Sequence, residues 1–150
     1  MIKPEDLRLG NIILVDNEKH HPKLKDIPMI VKTISRNWSM DKITENYQYK
    51  YYCELDKLEP KKYDIDNYSQ FLGFLKPIEI NPDWLIKFKF EMSYQNKKAQ
   101  IGCLILLEGV DRWRLYWQFG DNQIFLDRKL KFIHELQNIF KELTTYELSL

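Results

Sequence analysis

The sequence predicts an α+β fold. A small, SH3-like β lobe comes first, followed by an antiparallel meander with a C-terminal helix packed on it. Three patterns carry this expectation. Short β-branched and aromatic runs separated by polar, turn-forming stretches fill the first part of the chain. "RWRLYWQF" (112–119) alternates with period two. "KFIHELQNIFKEL" (131–143) instead spaces its apolar residues at i, i+3, i+4 and i+7. The 150 residues are expected to form one domain with two lobes, about 1–78 and 79–150.

The elements follow in order. Gly10-Asn11 is a turn signal leading into Ile12–Val15, a first strand. "NEKHHPKLKD" is a polar loop. "IPMIVKTISR" is a second strand with Pro28 near its start, where a missing N–H does least harm. "NWSMDKITEN" reads as a second loop. "YQYKYYCEL" places Tyr47, Tyr49, Tyr51, Cys53 and Leu55 on one strand face and Gln48, Lys50, Tyr52 and Glu54 on the other. "KLEPKKY" suggests a short fourth strand ending at Pro60, and "DIDNYSQFLGF" a helical turn ending near Gly73. Asn81 is a good N-cap, Pro82 suits the first helical position and Asp83 complements the helix dipole, so a short helix is predicted over 82–88.

The meander begins with "FEMSY" and "AQIGCLILLE", two strands joined by a turn at 95–98. "EGVD" turns the chain into the alternating strand. There Trp113, Leu115, Trp117 and Phe119 share one face, and Arg112, Arg114, Tyr116 and Gln118 share the other. "GDN" turns into "QIFLD". In the closing helix Phe132, Ile133, Leu136, Ile139, Phe140 and Leu143 form the apolar stripe. The helix is expected to pack through Phe132, Leu136, Ile139 and Phe140. Lys131, His134, Glu135, Gln137, Asn138 and Glu142 are expected to face water.

Composition narrows the function classes. The net charge is +1, and residues 1–75 and 76–150 are each close to neutral, so bulk charge points to neither nucleic acid nor membrane. Hydrophobic residues make up 44% of the chain, enough for a packed core. Two cysteines, Cys53 and Cys103, sit in apolar runs and read as small buried thiols of a reducing compartment. "MIKPEDLRLG" lacks the apolar stretch of a signal peptide, and "CLILL" is too short to span a bilayer. A cytoplasmic protein with no membrane partner is the expectation.

His134-Glu135 opens the pattern of the helical zinc motif H-E-x-x-H. That motif needs a second His one turn on, so that both imidazoles reach one ion. The position here is Asn138, and His20 and His21 lie in a distant loop. A polar face on a packing helix is the simpler reading. Likewise "KHHPKLK" reads as an exposed hairpin tip before an anion or metal site. No G-x-S-x-G, glycine-rich phosphate loop or paired carboxylates stand out. No catalytic, cofactor or metal residues are therefore assigned. "YQYKYY" and "RWRLYW" interleave rings with cations, as single-strand binders do, although strand alternation accounts for the same pattern. Arg112, Arg114 and Tyr116, with Lys50 and Tyr52, are the interface candidates, since Tyr and Arg are enriched at protein interfaces.

Three stretches resemble a family of small proteins from Bacteroidetes genomes, phages and mobile elements. "DLRLGNIILV" resembles its R-x-G-N start, "LKPIEINPDWLIKFKFE" its middle segment, and "LKFIHELQNIFKELTTYEL" its C-terminal "KYVHxLQNLYxALTGxEL" helix. They cover roughly a third of the chain. Lys89 and Thr145 replace glycines of that pattern, so a left-handed helix cap at Thr145 is not expected. The resemblance implies a phage or mobile-element accessory protein. The leading expectation is a non-enzymatic binding protein with a protein partner. One concrete form is an anti-CRISPR-like inhibitor of a bacterial defence nuclease or ribonucleoprotein. A small nucleic-acid-binding β module is the alternative, and a metal-dependent hydrolase built on His134 and Glu135 the third.

Overall fold

The computed structural model describes residues 2–16, 22–40, 47–58, 68–93 and 95–150. The fold is α+β, with two antiparallel sheets of five strands each. The chain divides into two compact units, Met1–Ile78 and Glu79–Leu150.

The first unit holds strands β1 (Ile12–Val15), β2 (Pro28–Met40), β3 (Tyr47–Lys57), β4 (Tyr68–Phe71) and β5 (Leu75–Lys76). Their order across the sheet is β4-β3-β2-β1-β5. The two edge strands are thus neighbours in sequence, joined only by a 3-10 turn at Leu72–Phe74. In a flat sheet they would lie about 19 Å apart, four strand spacings. Four residue steps from Phe71 to Leu75 span at most about 14 Å, so the sheet must curl on itself. Its core gathers Leu7, Ile13, Val15, Met29, Val31, Cys53, Leu55, Leu72 and Leu75, with Ile34 and Tyr51 packed against it. Burial of Cys53 pushes its thiol up to about 11, which leaves it protonated and unreactive.

The Arg8–Asn11 turn shows why that start is built as it is. Gly10 has φ +85°, a backbone that glycine adopts without steric cost. The buried Asn11 side chain accepts a hydrogen bond from the Arg8 N–H at 2.7 Å, and the Gly10 N–H donates to Val31 at 2.8 Å. The turn residues therefore tie the entry of β1 to β2.

The second unit holds α1 (Pro82–Lys87), β6 (Glu91–Ser93), β7 (Lys98–Ile101), β8 (Leu104–Glu108), β9 (Trp113–Phe119), β10 (Asn122–Leu130) and α2 (Ile133–Thr144). The strands follow one another across the sheet, β10-β9-β8-β7-β6. Asn81 caps α1 as expected, accepting from the Trp84 N–H at 3.1 Å. The buried set includes Trp84, Leu85, Phe88, Leu104, Leu106, Trp113, Leu115, Ile133 and Leu136. The Trp113 indole donates to the Ile80 carbonyl at 3.3 Å.

Several expected elements differ. "NWSM" continues β2 to Met40 instead of looping, because an antiparallel partner, β3, is there to pair it. Within "DIDNYSQFLGF", "YSQF" is β4 because β3 pairs with it, and the helical turn expected near Gly73 is the 3-10 turn at Leu72–Phe74. The strand expected from "KLEPKKY" is represented only by β3 running to Lys57, and residues 59–67 lie outside the described part. "AQIGCLILLE" is not one strand but two. Gly102, at φ +54°, and Cys103 form a two-residue hairpin turn between the paired Ile101 and Leu104, the Gly-X chemistry of a type II′ turn. Cys103 is consequently exposed instead of buried. "QIFLD" extends to Leu130, interrupted by a bulge between Phe125 and Lys129 with Asp127 at φ +48°.

The closing helix departs most. Its buried residues are Ile133, His134, Leu136 and Gln137. Of the four residues expected to pack, only Leu136 is fully buried; Phe132, Ile139 and Phe140 are half-buried and Leu143 is exposed. The tail explains part of this shift. Thr145 is left-handed (φ 65°, ψ −6°), contrary to expectation, and its N–H donates to Lys141. The chain then reverses. Lys141 pairs with Glu147, and the Gln137 amide donates to the Leu148 carbonyl at 3.3 Å beside a buried Leu148. The tail thus covers a polar stripe that the helix pattern alone assigns to water.

A β-branched residue in the left-handed region costs about 1–2 kcal/mol. Thr145→Gly is expected to raise unfolding stability by about 1 kcal/mol, with the same sign at Lys89→Gly, where φ is +65°. Chemical denaturation checks this; a loss of stability in both variants would contradict the backbone geometry.

Candidate binding surface on the second sheet

His134 and Glu135 do not converge on a shared site. His134 is 4% exposed, not outward-facing as expected. Its ring stacks on Phe132 with centroids 5.8 Å apart and an interplanar angle of 10°. Its Nδ1 is buried and makes no hydrogen bond, while the residue is engaged elsewhere. Glu135 turns the other way. Its carboxylate accepts from the Lys131 and Phe132 N–H groups at 2.8 and 3.0 Å. This is the reaching-back half of a capping box, with the glutamate at the third helical position. The sequence holds that signal, since Glu135 follows Phe132 by three, but Phe132 is not a capping residue type and so masked it. Among the described residues no group of three or more His, Cys, Asp or Glu side chains is placed to hold a metal. His20 and His21 lie outside the described residues.

The geometry of the second sheet sorts the interface candidates. The β8–β9 register pairs Leu106 with Leu115 and Leu107 with Arg114. Directly opposed residues share a face, so one face carries Ala99, Leu104, Leu106, Trp113, Leu115 and Leu130, all buried. The other face carries two neighbouring rows. Lys129, Arg114, Leu107 and Lys98 run across β10, β9, β8 and β7; Phe125, Tyr116, Ile105 and Gln100 run beside them. Arg114, Phe125 and Lys129 are exposed, while Lys98, Leu107 and Tyr116 are half-buried. The Tyr116 and Phe125 rings lie 5.2 Å apart at 43°, close to the tilted aromatic arrangement that a ring quadrupole favours. Phe125 keeps 43% of its surface open.

Beside these rows Lys97, Leu107, Glu108, Gly109, Val110, Arg114 and Tyr116 line an open cleft of about 410 Å³. Its wall is the β8–β9 hairpin loop. A Cβ at Gly109 would meet the Arg112 carbonyl at 2.8 Å, so only glycine lets the two sides close this tightly. Val110 stands fully exposed at the tip.

No family model, curated protein or solved structure matches the chain. The surface is therefore read from its own chemistry.

Arg114 and Tyr116 do share the wet face. Arg112 does not join them: it lies in the loop before β9, 3.7 Å from Asp111, and lines a separate cleft of about 220 Å³ with Glu79, Asp111 and Lys131. Strand alternation assumed that β9 begins at Arg112, whereas it begins at Trp113. Charges in that second cleft are matched internally, with Lys131 3.1 Å from Glu79. Lys50 and Tyr52 belong to the first unit, half-buried and both engaged in contacts. Three residues of the surface were not anticipated. Lys98 sat in an expected turn, while Phe125 and Lys129 lie on either side of a bulge that breaks the period-two pattern through which a face is read.

Replacing Glu135 by Ala is expected to cost about 1 kcal/mol by uncapping α2, with no change in bound metal measured by elemental analysis. Loss of a stoichiometric metal ion on this substitution would contradict the capping role.

Proposed function

We propose that the protein is a non-enzymatic binding protein and that the exposed face of its second sheet is the working surface. One observation carries the reading. Arg114, Tyr116, Phe125 and Lys129 form a contiguous aromatic and cationic patch on rigid strands, with a packed core directly behind. Binding energy at such surfaces concentrates in a few aromatic and arginine anchors, and strands hold them with little entropy left to lose. The exposed Phe125 and the Val110 tip add apolar area of the kind a partner would cover.

The curled first sheet, with its edges joined by a 3-10 turn, supports a further reading of that unit as an SH3-like small barrel. The resemblance noted in the sequence favours a cytoplasmic phage or mobile-element accessory role. Inhibition of a bacterial defence nuclease by protein–protein contact is one form, and that form rests on the resemblance alone. The hydrolase alternative is disfavoured because Glu135 is committed to a helix cap and His134 to a ring stack.

A photo-crosslinking residue placed at Phe125 tests the surface without naming the partner class. Cells expressing this variant are expected to yield discrete adducts, whereas the same group at Leu9, an exposed apolar residue of the first unit, yields none. Adducts at Leu9 and none at Phe125 would refute the assignment of the surface.

A further inference from the structure

We infer that this face binds a single-stranded nucleic acid, with Lys98, Arg114 and Lys129 on the phosphates and Phe125 stacked on a base. The inference rests on the surface assignment just made and goes further by naming the ligand class.

Charge favours a polyanion. Although the whole chain is nearly neutral, its cations are not evenly matched. Elsewhere in the described residues Lys32, Lys76, Arg112, Lys131 and Lys141 each pair with a carboxylate. No described carboxylate pairs with Lys98, Arg114 or Lys129. By register, Glu91 is an acidic residue on their face, at the opposite edge of the sheet in β6, and Asp127 stands exposed in the β10 bulge between Phe125 and Lys129. Glu108 lines the adjoining cleft together with Lys97, Arg114 and Tyr116. A line of unmatched cations across three strands is a track for a polyanion.

An aromatic row runs beside the basic one. Arg114 and Tyr116 are two residues apart on one strand, so the basic and aromatic rows are about 7 Å apart. That offset resembles the separation of phosphate and base within one nucleotide. Phe125 presents an open ring at that distance, braced from the side by Tyr116. An exposed ring rewards an unpaired base, whose face is available; in a duplex both base faces are already stacked. Gln118 and Gln123 share the ring's face on β9 and β10, and Gln100 shares it three strands away on β7, with the Gln118 and Gln100 amides donating to the Gly120 and Gly102 carbonyls. They supply neutral donors and acceptors that do not repel phosphate.

The narrow apolar area of the face separates this ligand from a protein. A protein partner would be expected to bring carboxylates to single cations, and a broad apolar centre to the patch. Here the open apolar area is narrow: Ile105 is fully buried and Leu107 half-buried, which leaves Phe125 on the face and Val110 at the loop tip beside it. Aromatic stacking next to a cationic line is the combination that sequence-tolerant single-strand binders use.

The test is a titration of fluorescein-labelled oligothymidylate and oligouridylate of about 12 nucleotides, and of a duplex of equal length, by anisotropy. It is run at about 50 and 200 mM salt. Both single strands are expected to bind, more tightly than the duplex. Three phosphate contacts predict a slope of log K against log salt of about −2, or a loss of about 20-fold over that range. Arg114→Ala with Lys129→Ala is expected to flatten the slope to about −0.7. Phe125→Ala is expected to weaken binding by about tenfold at constant slope, and Phe125→Trp to retain it. These side chains are exposed, so each variant is expected to keep the circular dichroism spectrum of the folded protein. No saturable binding at the lower salt, or binding that these variants leave unchanged, overturns the inference. Protein-only adducts from the crosslinker at Phe125 would also overturn it while leaving the surface assignment standing. Absence of any adduct there would remove the surface itself.

Discussion

The register between β8 and β9 is the constraint on which the rest of the second unit depends. With Leu106 opposite Leu115, the apolar residues of both strands fall on one face, and Arg114 and Tyr116 fall on the other. A slip of one residue would exchange the two faces. A slip of β9 would move Trp113 and Leu115 into water, at about 1.5–3 kcal/mol for the fully buried leucine alone, and would seal Arg114 in the core. The tight Gly102–Cys103 and Gly120–Asp121 turns, and the close approach at Gly109, fix strand lengths at both ends. Hydrophobic pattern and turn chemistry therefore specify the same register, and the composition of the wet face follows from it.

The closing helix obeys a different logic. Its H-E pair looks like chemistry in one dimension and works as structure in three. Glu135 satisfies N–H groups that the first turn of a helix leaves open, and His134 contributes ring surface against Phe132. The tail beyond Thr145 then adds a cover that no amphipathic analysis of the helix contains. A strained threonine at the reversal point is tolerated because the Lys141–Glu147 pair and the buried Leu148 lie on its far side.

Much of the fold was legible where one local signal acted alone. Asn81-Pro82-Asp83 specified α1, and the alternation of "RWRLYWQF" specified both faces of β9. Elsewhere a second element decided the outcome. "NWSM" and "YSQF" are strands because partners pair with them. Gln137 is buried because a distant tail returns to it. Gly102-Cys103 was legible in principle, as a Gly-X turn between apolar runs, but the unbroken hydrophobicity around it concealed the break. The candidate surface was half visible. Arg114 and Tyr116 were found by alternation, while Phe125 and Lys129 required the β9–β10 pairing and the position of its bulge.

The central claim is that β9 presents one dry and one wet face in this register. Paramagnetic broadening of side-chain resonances by a soluble relaxation agent measures that property directly. The account predicts strong broadening at Arg114, intermediate broadening at Tyr116, and protection at Trp113 and Leu115. Uniform broadening along the strand, or protection of Arg114 with exposure of Leu115, would contradict it.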